Sequence, residues 1–318
     1  MNSFRIMNIM KIKFRLIQSI GQGSLLGALL VAGIFSTAFA DKLYYNIAHQ
    51  INSSKLFDWA GSQGANAIEA DFRFKGVTPI NVKHGFPCDC TASPLADMCQ
   101  ATRNVIGGIT AAARVCNLED SIDNFLNQLA TKSFALLIVD TKAGTIDGGK
   151  SNLEQAGVNM ISKLNQQLFA KGYTGKVIVG VSDFKYFPYL QGAARAAQQS
   201  AYASRVYFSI DQEKDVNKVV SLLQSLQTAN ITYGVGISAF VPNTFYTEIQ
   251  TSANYINNNT LVTNYIWTID KEASMQNYLN VGVRGVMTNN PSKLNNLYQQ
   301  FFRNNPGARY GTPSDPGL

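Results

Sequence analysis

Beyond residue 41 the chain alternates short β-branched or aromatic runs with longer amphipathic ones, and this alternation limits the possible folds more than any other feature. Eight strand candidates can be counted, at 43–48, 67–74, 134–139, 176–181, 205–210, 231–236, 263–269 and 283–288. Helical spacing separates most of them. Leu153, Ala156, Met160, Leu164 and Leu168 form one stripe, with Gly172 as its stop. Asp215 opens a run through Val219, Leu222, Leu223 and Leu226, residues 272–279 precede a stop at Gly282, and residues 294–302 follow the last strand. Eight βα units in about 260 residues have the size and order of an α/β (β/α)8 TIM-type barrel. A doubly wound open sheet would fit the same alternation, but no glycine-rich nucleotide loop follows the first strand. No internal repeat or long linker divides residues 41–318, so they are expected to form one domain. Residues 74–118 are long and irregular for a βα loop, and loops of that length are usually functional.

The first forty residues stand outside this pattern. Arg5, Lys11, Lys13 and Arg15 precede an apolar run from Leu25 to Phe35, and Ala38-Phe39-Ala40 supplies small residues for cleavage. This is a secretory signal with cleavage near Ala40/Asp41; its length leaves an earlier processing step or a start at Met10 as alternatives. Its apolar run is too short for a relaxed membrane span. Removing the leader's four cations lowers the formal charge from +7 to +3 on 278 residues. A weak positive balance without a Lys/Arg run excludes nucleic acid and suits an anionic or membrane-surface partner. Export also permits disulfides. Cys88, Cys90, Cys99 and Cys116 fall within 29 residues of one another. Once the strained Cys88–Cys90 closure is set aside, two connectivities remain open, with a zinc knot as the structural alternative.

The whole chain contains two histidines. His49 ends the first strand, and His84 follows the second within Lys83-His84-Gly85. Barrel strands point their C-terminal ends into one mouth, where active sites form. Glu69 and Asp71 are two residues apart and therefore share a face of their strand, while Asp140 ends the third strand with Lys142 just beyond. Three clustered carboxylates need a cation. Hard oxygen ligands suit Mg²⁺, although Mn²⁺ and Ca²⁺ meet the same description. Pairing of Glu69 and Asp71 with Arg73 is the competing explanation. Two imidazoles, a hard cation and a lysine suit phosphoryl transfer: one histidine accepts a proton, the other donates one, and the cations neutralise the non-bridging oxygens. Trp267 ends the seventh strand, where an indole face could hold a quaternary ammonium or simply pack at the rim. Asp270 and Asn289 follow the last two strands and could orient substrate or a neighbouring side chain. Trp59, among Leu56, Phe57 and Ala60, reads as core.

Ordered motifs carry a resemblance over roughly Tyr44–Pro316. They are Ala48-His49-Gln50-Ile51-Asn52, Gly64-Ala65-Asn66-Ala67-Ile68-Glu69-Ala70-Asp71, His84-Gly85-Phe86-Pro87-Cys88-Asp89-Cys90, Val139-Asp140-Thr141-Lys142, Trp267-Thr268-Ile269-Asp270-Lys271 and the run from Val281 to Asn289. In these motifs the chain resembles the sphingomyelinase D/phospholipase D toxins of recluse-spider venom and their bacterial and fungal relatives, within the glycerophosphodiester phosphodiesterase-like barrels. The resemblance implies His49 as base and His84 as acid, with Glu69, Asp71 and Asp140 as Mg²⁺ ligands. It also implies substrate-side roles for Lys142, Trp267 and Asn289. The implied reaction releases choline-type headgroups from sphingomyelin or lysophosphatidylcholine, chiefly by intramolecular attack to a cyclic phosphate. With the leader, the expected setting is a secreted protein in contact with a membrane surface, and it is expected to be a monomer, although the sequence leaves the oligomeric state open. The implied first disulfide joins Cys88 to Cys99, leaving Cys90 with Cys116. The segment 308–316, within a tail of residues 303–318, loosely resembles the relatives' plug of the barrel floor. Two alternatives remain: a glycerophosphodiester phosphodiesterase using water, and a secreted barrel that binds lipid without turnover. Gln50 and Ile51 stand where ordinary glycerophosphodiesterases carry arginine and glycine, which favours the toxin-like branch.

Overall fold

The computed structural model describes residues 41–84, 120–239, 242 and 244–318. The leader, the four cysteines Cys88, Cys90, Cys99 and Cys116, and most of the 74–118 segment lie outside the described residues. In chain order the elements are β1 (Lys42–Ala48), α1 (Phe57–Ser62), β2 (Ala67–Lys75), β3 (Thr78–Val82), β4 (Asp120–Ser121), α2 (Ile122–Leu129), β5 (Leu136–Thr141), α3 (Lys150–Gln167), β6 (Lys176–Val181) and α4 (Phe187–Gln198). There follow β7 (Val206–Ile210), α5 (Val216–Gln224), β8 (Thr232–Gly236), α6 (Tyr246–Asn257), β9 (Thr263–Trp267), α7 (Glu272–Asn280), β10 (Gly285–Thr288), α8 (Pro291–Asn304) and β11 (Ala308–Tyr310).

Eight of these strands run parallel in the order β7-β6-β5-β2-β1-β10-β9-β8. The ring closes more weakly between β7 and β8, through a single parallel bridge at Phe208–Ile231. There the Phe208 amide donates to the Asn230 carbonyl at 3.0 Å, and Thr232 Oγ1 donates to the Phe208 carbonyl at 3.2 Å. The result is the expected (β/α)8 barrel.

Side chains of alternate parity fill its interior. Tyr45, Ile47, Leu136, Ile138, Tyr207, Tyr265 and Met287 belong to one inner cluster. The opposite faces of the strands pack against the helices in a second, larger cluster. Inward glycines make room for bulky neighbours: a Cβ on Gly234 would stand 2.4 Å from the Tyr265 ring, and one on Gly180 2.7 Å from Asp211 Oδ2. Two-residue alternation continues past the apolar layer, so the next inward positions toward the strands' C-terminal ends include His49, Glu69, Asp71, Asp140 and Asp211.

Several elements depart from the sequence reading. The seventh predicted strand stops at Trp267 rather than residue 269, and the last begins at Gly285 rather than residue 283. The segment expected to be irregular from residue 74 begins as a hairpin, with β3 antiparallel to β2 from Phe72↔Val82 to Lys75↔Thr78. This hairpin carries the chain beyond the barrel rim and delivers His84 two residues after β3.

The other end of the barrel is covered by the tail. β11 pairs with the start of β1, from Lys42↔Ala308 to Tyr44↔Tyr310. Arg309 holds both carboxylate oxygens of Asp315 at 2.6 and 3.0 Å. Lys176 Nζ donates to the Pro313 carbonyl at 3.0 Å and also to the Asp315 carbonyl, while Leu318 packs on the inner cluster.

Candidate active site

The β1, β2 and β5 strand ends converge at the mouth. A cavity of ≈ 110 Å³ there is lined by His49, Glu69, Asp71, His84, Asp140, Lys142 and Trp267. The barrel thus brings seven of the nine non-cysteine site residues expected from sequence to one surface. Asp270 and Asn289 stand behind His49 instead.

Register explains the acidic trio. Asp71 is paired directly with Asp140 across β2 and β5, and Glu69 lies one inward step deeper. One carboxylate oxygen from each can be chosen so that all three lie within 4.8 Å of one another. Glu69 and Asp71 are buried, at 2% and 1% exposure. Backbone and amide groups fix both: the Gln50 amide donates to Glu69 Oε2 at 2.8 Å, and Asn52 Nδ2 donates to Asp71 Oδ2 at 2.7 Å. Lys142 Nζ stands 2.6 Å from Asp71 Oδ1 and 2.6 Å from Asp140 Oδ2. Arg73 takes no part: Asp71 pairs with Lys142 instead, and the competing Glu69–Asp71–Arg73 ion-pair cluster does not form.

One lysine among three carboxylates leaves an imbalance. Burial, reinforced by the charges of Asp71 and Asp140, raises Glu69 well above the ordinary carboxyl range. Burial would also raise Asp71, but Lys142 and the Asn52 hydrogen bond outweigh it and hold Asp71 below its usual value. For Lys142, burial is overcome by Asp140, Asp71 and Glu69, so its ammonium is held charged. The donors are hard oxygens, and Glu69 has no ion pair to a lysine or arginine among the described residues. This set fits a divalent cation of the oxygen-seeking kind.

His49 is oriented from behind. Asp270 Oδ2 and Oδ1 accept from Asn289 Nδ2 and from the Asn289 amide, each at 2.8 Å. With its side-chain nitrogen committed to Asp270, Asn289 presents Oδ1 to His49 Nδ1 at 2.9 Å. His49 therefore carries its proton on Nδ1 and turns the Nε2 lone pair inward, 4.0 Å from Glu69 Oε2. Burial lowers the His49 pKa, partly offset by the Asn289 hydrogen bond, which keeps the imidazole neutral near pH 7. His84 is exposed on the facing rim.

Sequence reasoning missed Asp211. It directly follows β7, much as Asp140 lies at the C-terminal end region of β5, so the strand-end argument applied to all eight strands would have found it. Asp211 lines the cavity, and its Oδ1 accepts from Tyr265 Oη at 2.6 Å and from Ser209 Oγ. Burial raises its pKa to about 7, against the pull of those two hydroxyls. Its carbonyl accepts from Trp267 Nε1 at 3.1 Å, which pins the indole at the cavity wall.

A parallel eight-stranded barrel with carboxylates, imidazoles and a lysine gathered at its C-terminal mouth defines the class: a (β/α)8 protein of the enzyme-bearing type. Solved structures share the fold. One is a putative glycerophosphoryl diester phosphodiesterase from Silicibacter pomeroyi (TM-score 0.55, 11% identity, covering 82% of this chain and 94% of that one). Another is an Oleispira antarctica phosphodiesterase in complex with sn-glycerol-3-phosphate (TM-score 0.52, 14% identity, 80% and 96%). The family model described as Dermonecrotic toxin SPH matches residues 40–315, and the chain belongs to that family. Among curated relatives, Dermonecrotic toxin LiSicTox-betaIA1ii of Loxosceles intermedia is 26% identical over 270 residues, 81% of this chain and 84% of that protein. Dermonecrotic toxin SpeSicTox-betaIB3 of Sicarius peruensis is 24% identical over 273 residues, 78% and 91%.

Proposed function

We propose that this chain is an exported, Mg²⁺-dependent phosphodiesterase of the phospholipase D/sphingomyelinase D type, acting on choline-type lipids such as sphingomyelin or lysophosphatidylcholine. One observation carries the reading: both histidines of the chain face a single cavity with Glu69, Asp71, Asp140 and Lys142. Family membership and the phosphodiesterase-type fold support the same reaction class.

Glu69, Asp71 and Asp140 would hold the Mg²⁺, which when bound would neutralise charge on the phosphate. Lys142 adds a fixed positive charge beside the non-bridging oxygens. His49, neutral and with Nε2 free of its proton, accepts the proton of the attacking hydroxyl. His84, at the open rim, gives a proton to the departing alcohol. Attack by the lipid's own hydroxyl forms one P–O bond as the headgroup P–O bond breaks, leaving a cyclic phosphate and the free alcohol. Trp267 offers an indole face to a quaternary ammonium. The proposed mature protein begins near Asp41 and works as a monomer at a membrane surface.

Phosphorus NMR of lysophosphatidylcholine turnover, with and without EDTA, tests the reading. A cyclic phosphate that appears only with the divalent cation is expected. Open-chain phosphate alone would instead favour the water-using glycerophosphodiesterase. H49A and H84A should each lower turnover by about 10²–10⁴-fold without loss of fold. Full headgroup release by either variant would refute the acid–base assignment.

A further inference from the structure

The cavity at the mouth shares His84, Asp140, Lys142, Ser182 and Gln212 with a second, larger space of ≈ 330 Å³ that no step above uses. Its outer wall is Arg73. Glu69, Asp71 and Arg73 share one face of β2, so Arg73 continues the acidic series outward by one two-residue step, about 7 Å along the strand. Having left the acidic trio to Lys142, Arg73 has no carboxylate partner among the described residues. It is half-buried against this space. Facing it are Ser182, Tyr186 and Gln212, which are polar and uncharged. A Cβ on Gly144 would stand 3.1 Å from the Tyr186 hydroxyl, so a bare glycine leaves that phenol its place in the wall. Lys185 Nζ lies over the Tyr186 ring, 4.9 Å from its centroid, and adds positive charge there, although Asp183 neutralises part of it at 3.3 Å. Asp140 is the acid on the shared wall, and Lys142 pairs with it.

A half-buried arginine with no carboxylate partner among the described residues, set beside neutral hydrogen-bonding groups, is complementary to a planar anion. We propose that this annex is a second headgroup subsite in which Arg73 takes a carboxylate, widening the substrates beyond choline-type lipids to amino-acid headgroups and selecting these over their decarboxylated counterparts. The inference rests on the phosphodiesterase reading for its substrate but concerns a different surface of the mouth. Phosphoserine and phosphoethanolamine differ only in that carboxylate, which makes them the discriminating probes.

Calorimetric titration of the exported chain in Mg²⁺ should show O-phosphoserine binding about tenfold more tightly than O-phosphoethanolamine. R73Q should bring the ratio close to one, and R73K, which keeps the charge without the fork, should restore part of it. A wild-type ratio near one, or a ratio that survives in R73Q, would overturn the subsite. Turnover of lysophosphatidylserine and lysophosphatidylethanolamine, measured in parallel, separates the two claims. Absent turnover with an Arg73-dependent binding ratio would sink the phosphodiesterase proposal and leave the subsite supported.

Discussion

His49 is held in one tautomer by two residues that never reach the cavity. Asp270 commits the Asn289 amide, and Asn289 in turn commits His49 Nδ1. Because that last hydrogen bond raises the His49 pKa against its burial, removing it should lower the pKa further. N289A is therefore expected to move the acid limb of kcat/KM to lower pH and to cost about 10–100-fold in kcat. N289D places a negative charge beside the ring and should move the limb the other way; a limb that stays put in both variants would remove Asn289 from a positioning role. Asp211 offers a second test. Its folded pKa of about 7 lies above the unfolded carboxyl value, so the folded state binds more protons in between. This group's contribution to stability therefore falls as pH rises from about 4 to 7. D211N keeps an acceptor for Tyr265 and Ser209 without the charge. It should gain about 1–3 kcal/mol over wild type at pH 8 and little at pH 4 in denaturant titrations. An equal effect at both pH values would count against the burial argument. At this scale the strand-end residues His49, Glu69, Asp71 and Asp140 were legible, because alternation and strand position are local properties. The chain from Asp270 through Asn289 to His49 was not, since it joins residues 240 apart.

Among the elements, α3 and α4 approach so closely that glycines form their contact. A Cβ on Gly192 would stand 1.9 Å from the Glu154 carbonyl oxygen, and one on Gly157 2.1 Å from that of Tyr189. G192A must push the two helices apart and is expected to destabilise the fold by about 1–3 kcal/mol, read as a lower urea midpoint at unchanged slope. A neutral G192A would mean that the helices separate freely. The α3 stripe of Ala156, Met160 and Leu164 was visible from its spacing and is buried as that spacing requires. The β2–β3 hairpin was not visible, because its pairing depends on the antiparallel return of residues 78–82 rather than on any strong turn motif. That hairpin decides where Arg73 and His84 stand.

For the whole molecule, the two ends of the barrel divide the work. The tail covers one end with Leu318 against the inner aromatic layer, while the other gathers three carboxylates around one lysine. A cation entering the mouth would offset the burial and the neighbouring carboxylate charges that together raise Glu69, so Mg²⁺ at 100 times its dissociation constant should stabilise the chain by about 2.7 kcal/mol. The thermal midpoint should rise accordingly for wild type and much less for D71N; no rise in wild type would argue that Lys142 alone balances the trio. Sequence by itself determined the barrel and the inward polar ends of its strands, because both follow from a repeat of two residues and from the order of elements along the chain. Tertiary structure alone decided that Lys142 rather than Arg73 pairs with Asp71 and Asp140, and that Asn289 aligns His49. These outcomes depend on strand register and on distances across the closed ring, which no local pattern encodes.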